Sequence, residues 1–457
     1  MAAAPDPPPW YAWWGWAKSA MSPLPDGSWM VVPQVQFGIT GDDMSLINYV
    51  LGQDLNVRLV PGTYTAASPI IPVSGGRVLG PGPLETTIQA SGTSLVSVTG
   101  QTDSFELSNV TLAMPGGQAF DIFSGASAAR WFVHDCRFTQ NNAGNAIWRG
   151  TTSAGQSMVE CRFRRNTWQV FGATRTAEAI FLSSASGATQ INANSWRDEV
   201  FFNENNDTAM YLIHLQNTGA LNQTNYFENI VFEHPYGGAI WLESHTNGYI
   251  NQCYCYDLPS GTATITNPLI KVSKNSTGPA SARTTIIGGP RIQSGAVFAA
   301  GVGDINLDAS CSDTVLEALS ASGQLQLYLG GSKGVKLLGM PDGGWGIQDS
   351  PVTAAAGSAA GTGPPAPVVS AGPDNQSGLI TFGTGMAPSA GQMVTVTFGT
   401  PFESTPQVAV VPYNGASTGL GLFSAVLTST GFEVDCQNAP LASEGSAFYG
   451  FRWFAWI

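Results

Sequence analysis

Charge is scarce in this 457-residue chain: Asp, Glu, Lys and Arg make up 11% of it, 31 acids against 18 bases. Long-helix and disordered proteins are richer in charge, so both classes are excluded. The formal net charge of −13 makes a nucleic acid or an anionic membrane surface an unfavourable partner. No apolar run reaches the ~18 residues that span a bilayer, so no membrane insertion is expected. The stretch Ala2-Ala3-Ala4-Pro5-Asp6-Pro7-Pro8-Pro9 lacks the basic start and apolar run of a secretory signal. An extracellular destination is then expected to be reached by cell lysis or by carriage on a particle. Histidine numbers four and cysteine six. Cys253-Tyr254-Cys255 lacks the usual zinc spacing and no His pair accompanies it, so neither metal nor cofactor is expected. The cysteines read as small core residues, with a disulfide between neighbouring strands as the alternative.

Glycine (54) and proline (29) are abundant, which points to many short strands joined by turns. From Gln118 to Ala299 one phrase recurs: Phe120-Asp121-Ile122, Ile147-Trp148-Arg149, Ile180-Phe181-Leu182, Met210-Tyr211-Leu212, Ile240-Trp241-Leu242, Ile270-Lys271-Val272 and Val297-Phe298-Ala299. A second column alternates with it: Val110-Thr111-Leu112, Cys136-Arg137-Phe138, Cys161-Arg162-Phe163, Val200-Phe201-Phe202, Ile230-Val231-Phe232 and Cys253-Tyr254-Cys255. Outer positions are mostly apolar and the middle one varies, the period-two pattern of strands with one buried face. Two such phrases in fixed order within about 30 residues mark stacked repeats. The expected architecture is all-β, a parallel β-helix.

Residues 1–36 hold Trp10, Tyr11, Trp13, Trp14, Trp16 and Trp29, too many aromatics to leave in water. They are expected to be a docking segment, or a strap on the chain's own β-helix. After Gly41-Asp42-Asp43 a helix is expected at 43–51, capped by Asp42 or Asp43, and it would cover the end of a β-helix spanning 37–320. The last coil is expected near Asp304–Leu307, with a closing helix at Asp313–Leu319. A β-hairpin connector at 321–353, a linker at 354–367 and a β-sandwich at 368–457 complete the expected order.

The ordered set Gly41-Asp42-Asp43, Pro61-Gly62-Thr63-Tyr64, Val78-Leu79-Gly80 and Thr87-Ile88-Gln89 resembles the start of the pectate-lyase-like superfamily of right-handed β-helices. The resemblance covers 37–90 by motif and 91–310 by repeat pattern. In the last ~90 residues, Val394-Thr395-Val396-Thr397-Phe398, Thr405-Pro406-Gln407-Val408, Thr430-Gly431-Phe432 and a terminal Trp456-Ile457 resemble the C-terminal module of tail fibres and minor tail proteins of actinobacterial phages. The two resemblances imply a phage tail spike or fibre subunit: a homotrimer that joins the phage tail or baseplate through its N-terminus. It would be carried on the virion tail and bind host cell-surface polysaccharide.

With outer positions inward, the middle ones form an outward column of Asp121, Trp148, Phe181, Tyr211, Trp241, Lys271 and Phe298. Trp148, Phe181, Tyr211 and Trp241 would then stand about 4.8 Å apart and suit stacking against sugar rings. The alternative is a subunit seam or cover by loops. For cleavage of a glycan, Glu243 beside Trp241 is the first candidate acid, with Asp207 or Glu233 as its partner. Glu204, Asp257 and Glu178 are further choices, and all of these acids read equally as ordinary surface acids. His214 and His245 are placed on adjacent coils as a general acid, a metal pair or hydrogen-bonded structure. The polygalacturonase motifs leave only Asn206-Asp207 and Arg291-Ile292-Gln293, with no Gly-His-Gly. Asp198-Glu199 reads as a turn rather than a cation site.

Overall fold

The computed structural model describes residues 21–37, 41–90, 94–98, 100–114, 120–121, 127–140, 148–152, 157–170, 178–184, 190–203, 211–218, 221–256, 258, 265–290, 297–299, 302–317, 319, 325–328, 332, 335–338, 345–347, 352–370, 377–399, 402 and 405–456. They fall into two compact units. One holds residues up to 299 together with 310–323 and 333–342, and the other holds 300–309, 324–332 and 343–457.

The first unit is a parallel β-helix with four strand faces. Sheet I runs from Trp29–Val31 through Phe132–His134, Arg162–Arg164 and Ser195–Arg197 to Lys336–Leu338. Sheet II runs from Gly62–Ala66 through Arg137–Gln140, Thr167–Val170 and Val200–Asn203 to Tyr254–Tyr256. Sheet III includes Trp148–Thr152, Ile180–Ser184, Ile213–Asn217, Ile240–Glu243 and Ile270–Ser273, and sheet IV is a narrow face ending at His245–Thr246. Each coil visits IV, I, II and III in turn. The partners are in-register and parallel throughout, for example Phe163 beside Trp196 and Phe138 beside Trp168.

Alternation then decides what lies inside. Sheet II sends Leu112, Phe138, Trp168, Phe201, Phe232 and Cys255 inward, all at 0–1% exposure. Phe138, Trp168, Phe201 and Phe232 stack with centroids 4.1, 5.6 and 5.2 Å apart. Sheet I holds a second stack, Phe163, Trp196 and Phe227, at 5.2 and 4.9 Å. The sequence's second column therefore merges two faces. Cys161-Arg162-Phe163 belongs to sheet I, whereas Cys136-Arg137-Phe138 belongs to sheet II, because both faces carry the same apolar–variable–apolar phrase.

Sharp corners separate IV from I and I from II. A single residue takes the left-handed conformation at each, as do Arg130, Glu160 and Ala193 at one corner and Asn109, Asp135, Arg165, Asp198 and Asn229 at the other. That conformation is unfavourable for non-glycine residues, and inter-coil hydrogen bonds offset it: Asp135 N–H donates to Arg164 O and Arg165 N–H to Arg197 O, both at 3.0 Å. The residue after each corner points inward, where polar side chains meet backbone groups the corner leaves without strand partners. Asn194 and Asn225 form one such ladder, with Asn194 Nδ2 donating to Met158 O and Asn225 Nδ2 to Ile191 O. At the other corner Glu199, fully buried, accepts from Asn166 N (3.3 Å), Asn166 Nδ2 (3.1 Å) and Trp168 Nε1 (2.5 Å).

The expected capping helix is Met44–Leu51, with Met44, Leu46, Ile47, Val50 and Leu51 buried. Asp42 Oδ1 accepts from Met44 N at 3.3 Å, while the Asp43 carboxylate accepts from Gln34 N and Thr65 N instead. Of the expected docking segment, residues 1–20 lie outside the described residues. Residues 21–31 do not form a separate piece: Met21–Pro23 pairs with Trp29–Val31, which joins sheet I beside Val57–Leu59. The expected closing helix is instead a strand, Val315–Glu317, whose alternate residues fit the sheet. All six cysteines are buried thiols outside any disulfide.

In the second unit Ile305–Leu307, Leu325–Tyr328 and Trp345–Ile347 pair in parallel. The expected hairpin does not form: Lys336–Leu338 pairs with Val315–Glu317, not with Leu325–Tyr328. The Ala-rich stretch expected as a linker is also structured, since Thr353–Ala356 pairs with Val394–Thr397 and Ala359 and Ala360 are buried. Small side chains suit an edge against a close neighbour. The rest is an antiparallel sandwich, in which Thr353–Ala356, Gly391–Thr397, Gly431–Cys436 and Leu422–Thr428 make one sheet. Val368–Ser370, Ser377–Phe382, Tyr449–Trp456 and Gln407–Pro412 make the other, around a core that includes Phe382, Phe432, Phe451 and Trp453.

Candidate functional site

Sheet III holds the residues that the sequence singles out, with a change of register. Ile213 pairs with Ile180 and Ile240, so His214, not Tyr211, stands between Phe181 and Trp241. Tyr211 lies before the strand, 5% exposed, with its ring 5.4 Å from Trp241 and its hydroxyl without a hydrogen-bond partner among the described residues. Trp148 pairs with Phe120 and Ile180, and Arg149 takes the position beside Phe181. Among the residues whose side chains are described, the outward column thus reads Phe181, His214, Trp241 and Lys271. The expected aromatic row of four is reduced to Phe181 and Trp241, with a histidine between them.

Trp241 does not offer a free face. The His214 ring lies parallel to it with centroids 4.0 Å apart, and Lys271 Nζ sits 4.0 Å from its ring centroid. Because His214 and Lys271 come from the strands on either side, they cover opposite faces. The indole N–H donates to Ser273 Oγ at 2.8 Å, which fixes the ring edge.

Around His214 a carboxylate stands at each ring nitrogen. Nδ1 is 3.1 Å from Glu178 Oε1 and Nε2 is 3.1 Å from Glu243 Oε2. Glu243 also accepts from Gln216 Nε2 at 2.9 Å and from Asn275 Nδ2 at 3.2 Å. Ser183 Oγ steadies Gln216 from the coil before. Glu243 is 7% exposed and His214 4%, while 23% of the Glu178 side chain is open. Burial raises the Glu243 carboxyl, but hydrogen bonds from His214 and Gln216 outweigh it, so the net shift is downward. Burial likewise opposes charge on His214, and its bonds to Glu178 and Glu243 overcome that and raise its pKa. Charge on either partner therefore favours charge on the other.

The other expected site residues fall elsewhere. Glu233 is on sheet II, where its Oε2 accepts from Tyr256 Oη at 3.0 Å, so it does not share a face with Glu243. Asp207, Glu204, Asp257, Asn206 and Arg291 lie outside the described residues. His245 is fully buried on sheet IV, its Nε2 accepting from Asn225 Nδ2 at 2.9 Å, and it makes no pair with His214. Asp198 is a corner residue and Glu199 points inward, in keeping with a turn. Among the described residues no group of His, Cys, Asp and Glu has the makings of a metal site. The triple contact at His214 was visible in sequence only as separate residues, because Glu178 and Glu243 lie 36 and 29 residues from it.

No protein-family model matches the chain, and no curated protein matches it significantly. Among solved structures it is similar to the tailspike protein of Acinetobacter phage vB_ApiP_P1, with 12% identity, a TM-score of 0.44, and 91% of this chain and 84% of that one covered. A second is the tailspike gp49 of Acinetobacter baumannii bacteriophage Fri1, described as a capsular polysaccharide depolymerase: 8% identity, TM-score 0.35, with 94% and 86% covered. A third is the A-module of the Azotobacter vinelandii mannuronan C-5 epimerase AlgE4: 12% identity, TM-score 0.31, with 69% and 100% covered. At such identities and TM-scores these likenesses carry neither a substrate nor a site residue over to this chain.

Proposed function

We propose that this chain is a phage tail-spike subunit that attaches the virion to host cell-surface polysaccharide without cutting it. The tail assignment is supported by the sequence resemblance of the C-terminal module. Attachment rather than cleavage is supported by one observation: Glu243, the acid best placed beside Trp241, is spent on structure. It is nearly buried, ionised, and engaged by His214, Gln216 and Asn275. A general acid must carry a proton and reach the leaving oxygen, and Glu243 does neither. Phe181, Gln216 and Lys271, all half-buried on the same face, are the surface proposed to meet the glycan. Homotrimer assembly and docking to tail or baseplate proteins through the N-terminal segment belong to the same proposal.

A depolymerase is the second reading, favoured by the Glu178–His214–Glu243 chain. There a protonated His214 would be the acid and the more open Glu178 its partner. The two readings separate when purified protein is incubated with envelope polysaccharide from candidate actinobacterial hosts, and both retention on the polymer and release of reducing ends are followed. Retention without release is expected. Release that vanishes in Glu178→Gln would replace attachment by depolymerisation.

A further inference from the structure

Sheet II carries a cleft of about 560 Å³ on its outer side, away from the His214 cluster. That volume is in the range of small-ligand sites. The 81–85 loop forms one lip through Leu84, which is 84% exposed, and strands from successive coils supply Arg137, Gln169 and Phe202. Asp135 and Arg165, from two successive corners, close one side as a bidentate pair at 2.6 and 2.7 Å.

The charge here runs against that of the whole chain. The cleft's charged lining residues are Arg137, Arg165 and Asp135, a net positive set in a protein of net charge −13. Arg130, Arg164, Arg165 and Arg197 are each matched by a carboxylate. Arg137 is not: its Nε and Nη2 donate to the uncharged amide oxygen of Gln169, at 3.2 and 2.5 Å. Among the described residues no carboxylate is bonded to it, since Asp135 in the same cleft is held by Arg165, and no bond uses the rest of its donor fork. A half-buried guanidinium without an acid partner favours an oxyanion, carboxylate or phosphate, two oxygens of which it can hold through parallel bonds. Beside it, Phe202 is outward and half-buried, an apolar wall next to amide and guanidinium donors. Apolar wall, neutral polar groups and one cation without a carboxylate partner, beside the Asp135–Arg165 pair, together match a sugar ring that bears an acidic substituent.

We propose that this cleft binds a saccharide unit carrying a carboxylate or a phosphate, with Arg137 on the anion and Phe202 against the ring. This deepens the attachment reading and rests on it, adding the acidic character of the glycan and a second contact face.

The test titrates the full chain with three probes: an oligogalacturonate, a glycerol-phosphate oligomer and a neutral gluco-oligosaccharide of equal length. One or both anionic probes should bind and the neutral one should not. Binding should weaken as salt rises. Arg137→Gln should lose at least about tenfold in affinity and Phe202→Ala a similar amount, while Glu243→Gln should change little. The winning probe tells uronate from phosphate. Binding of neither anionic probe, or equal affinity in Arg137→Gln, would falsify the cleft assignment. Retention on host polysaccharide is measured in parallel with the same variants. Retention that survives Arg137→Gln undiminished sinks the cleft and leaves attachment standing, whereas no retention by the unmodified chain sinks attachment itself.

Discussion

The rings of His214 and Trp241 are parallel to within 1°, their centroids 4.0 Å apart on adjacent coils of sheet III. This stack, closed on its other side by Lys271, turns an aromatic that sequence reading offers to a ligand into part of the scaffold. Trp241→Ala should therefore read out as lost stability, on the order of 2–4 kcal/mol for a large aromatic truncated in a packed row. Polysaccharide retention measured well below the melting temperature should stay within about twofold. A stable variant with abolished retention would restore Trp241 as a binding platform.

The His214–Glu243 pair sets a pH window. His214 has a raised pKa, so its contribution is full below the unfolded value of ~6.5 and is lost as pH rises through the folded value. Glu243 has a lowered pKa, so its contribution is present above ~4.5 and is lost as pH falls through its folded value. Melting temperature followed from pH 3 to 9 should show both slopes, and His214→Phe, which keeps a stacked ring, should reduce the alkaline one to the part that Glu199 contributes. Identical slopes in the variant would place them elsewhere.

Glu199 acts in the opposite sense to an ordinary surface acid. Burial pushes its carboxyl up to about 8, against the lowering effect of Trp168 and Asn166. A raised folded pKa means stability that is full below the unfolded ~4.5 and declines as pH rises toward 8. Glu199→Gln keeps an acceptor for Trp168 and Asn166 without the charge. It should melt with the parent near pH 5 and above it at pH 8.5, by an amount on the order of a few kcal/mol. Equal melting at pH 8.5 would show that the carboxyl is not desolvated.

His245 works at the acid end. Burial holds its pKa down at about 3, and the unfolded chain takes up a proton below ~6.5, so stability falls as pH drops from there toward 3. His245→Leu should flatten that slope. At pH 7 it should cost about 1–3 kcal/mol, because Asn225 Nδ2 loses one of its two acceptors and keeps only Ile191 O. Thermal melts at pH 4.5 and 7 measure both effects.

Phe201 sits between Trp168 and Phe232 in the inner stack of sheet II. Phe201→Ala should cost about 3–5 kcal/mol. The outward neighbour Phe202→Ala should cost well under half of that, and denaturant titration of the two variants tests the assignment of inside and outside directly.

Much of this was readable in the chain itself. Period-two alternation in Ile180-Phe181-Leu182 and Ile240-Trp241-Leu242 names both the strand and its buried face, and Asp42-Asp43 before Met44–Leu51 marks the helix. The register between Phe181 and Trp241 was not readable. Met210-Tyr211-Leu212 and Ile213-His214-Leu215 carry the same pattern three residues apart, and turn length between strands is free to vary. Filling of the interior decides, with Ile213 and Leu215 both at 0% exposure. Trp148 was misplaced for the same reason, since pairing sets Arg149 beside Phe181. The 321–353 segment read as a hairpin because two alternating runs flank a glycine turn, and local pattern does not say whether the second run returns to the first or moves on to another sheet.

By itself, the sequence determined that coils of about 30 residues stack into a parallel β-helix, because a strand's buried face is written in its own alternation. It determined a C-terminal all-β module in the same way. Only the tertiary structure decided which outward residues meet. Glu178, His214 and Glu243, like Arg137 and Gln169, are separated by whole coils and become neighbours through the stacking of strands one above another. That contact depends on the length of every intervening turn, a quantity no local pattern fixes.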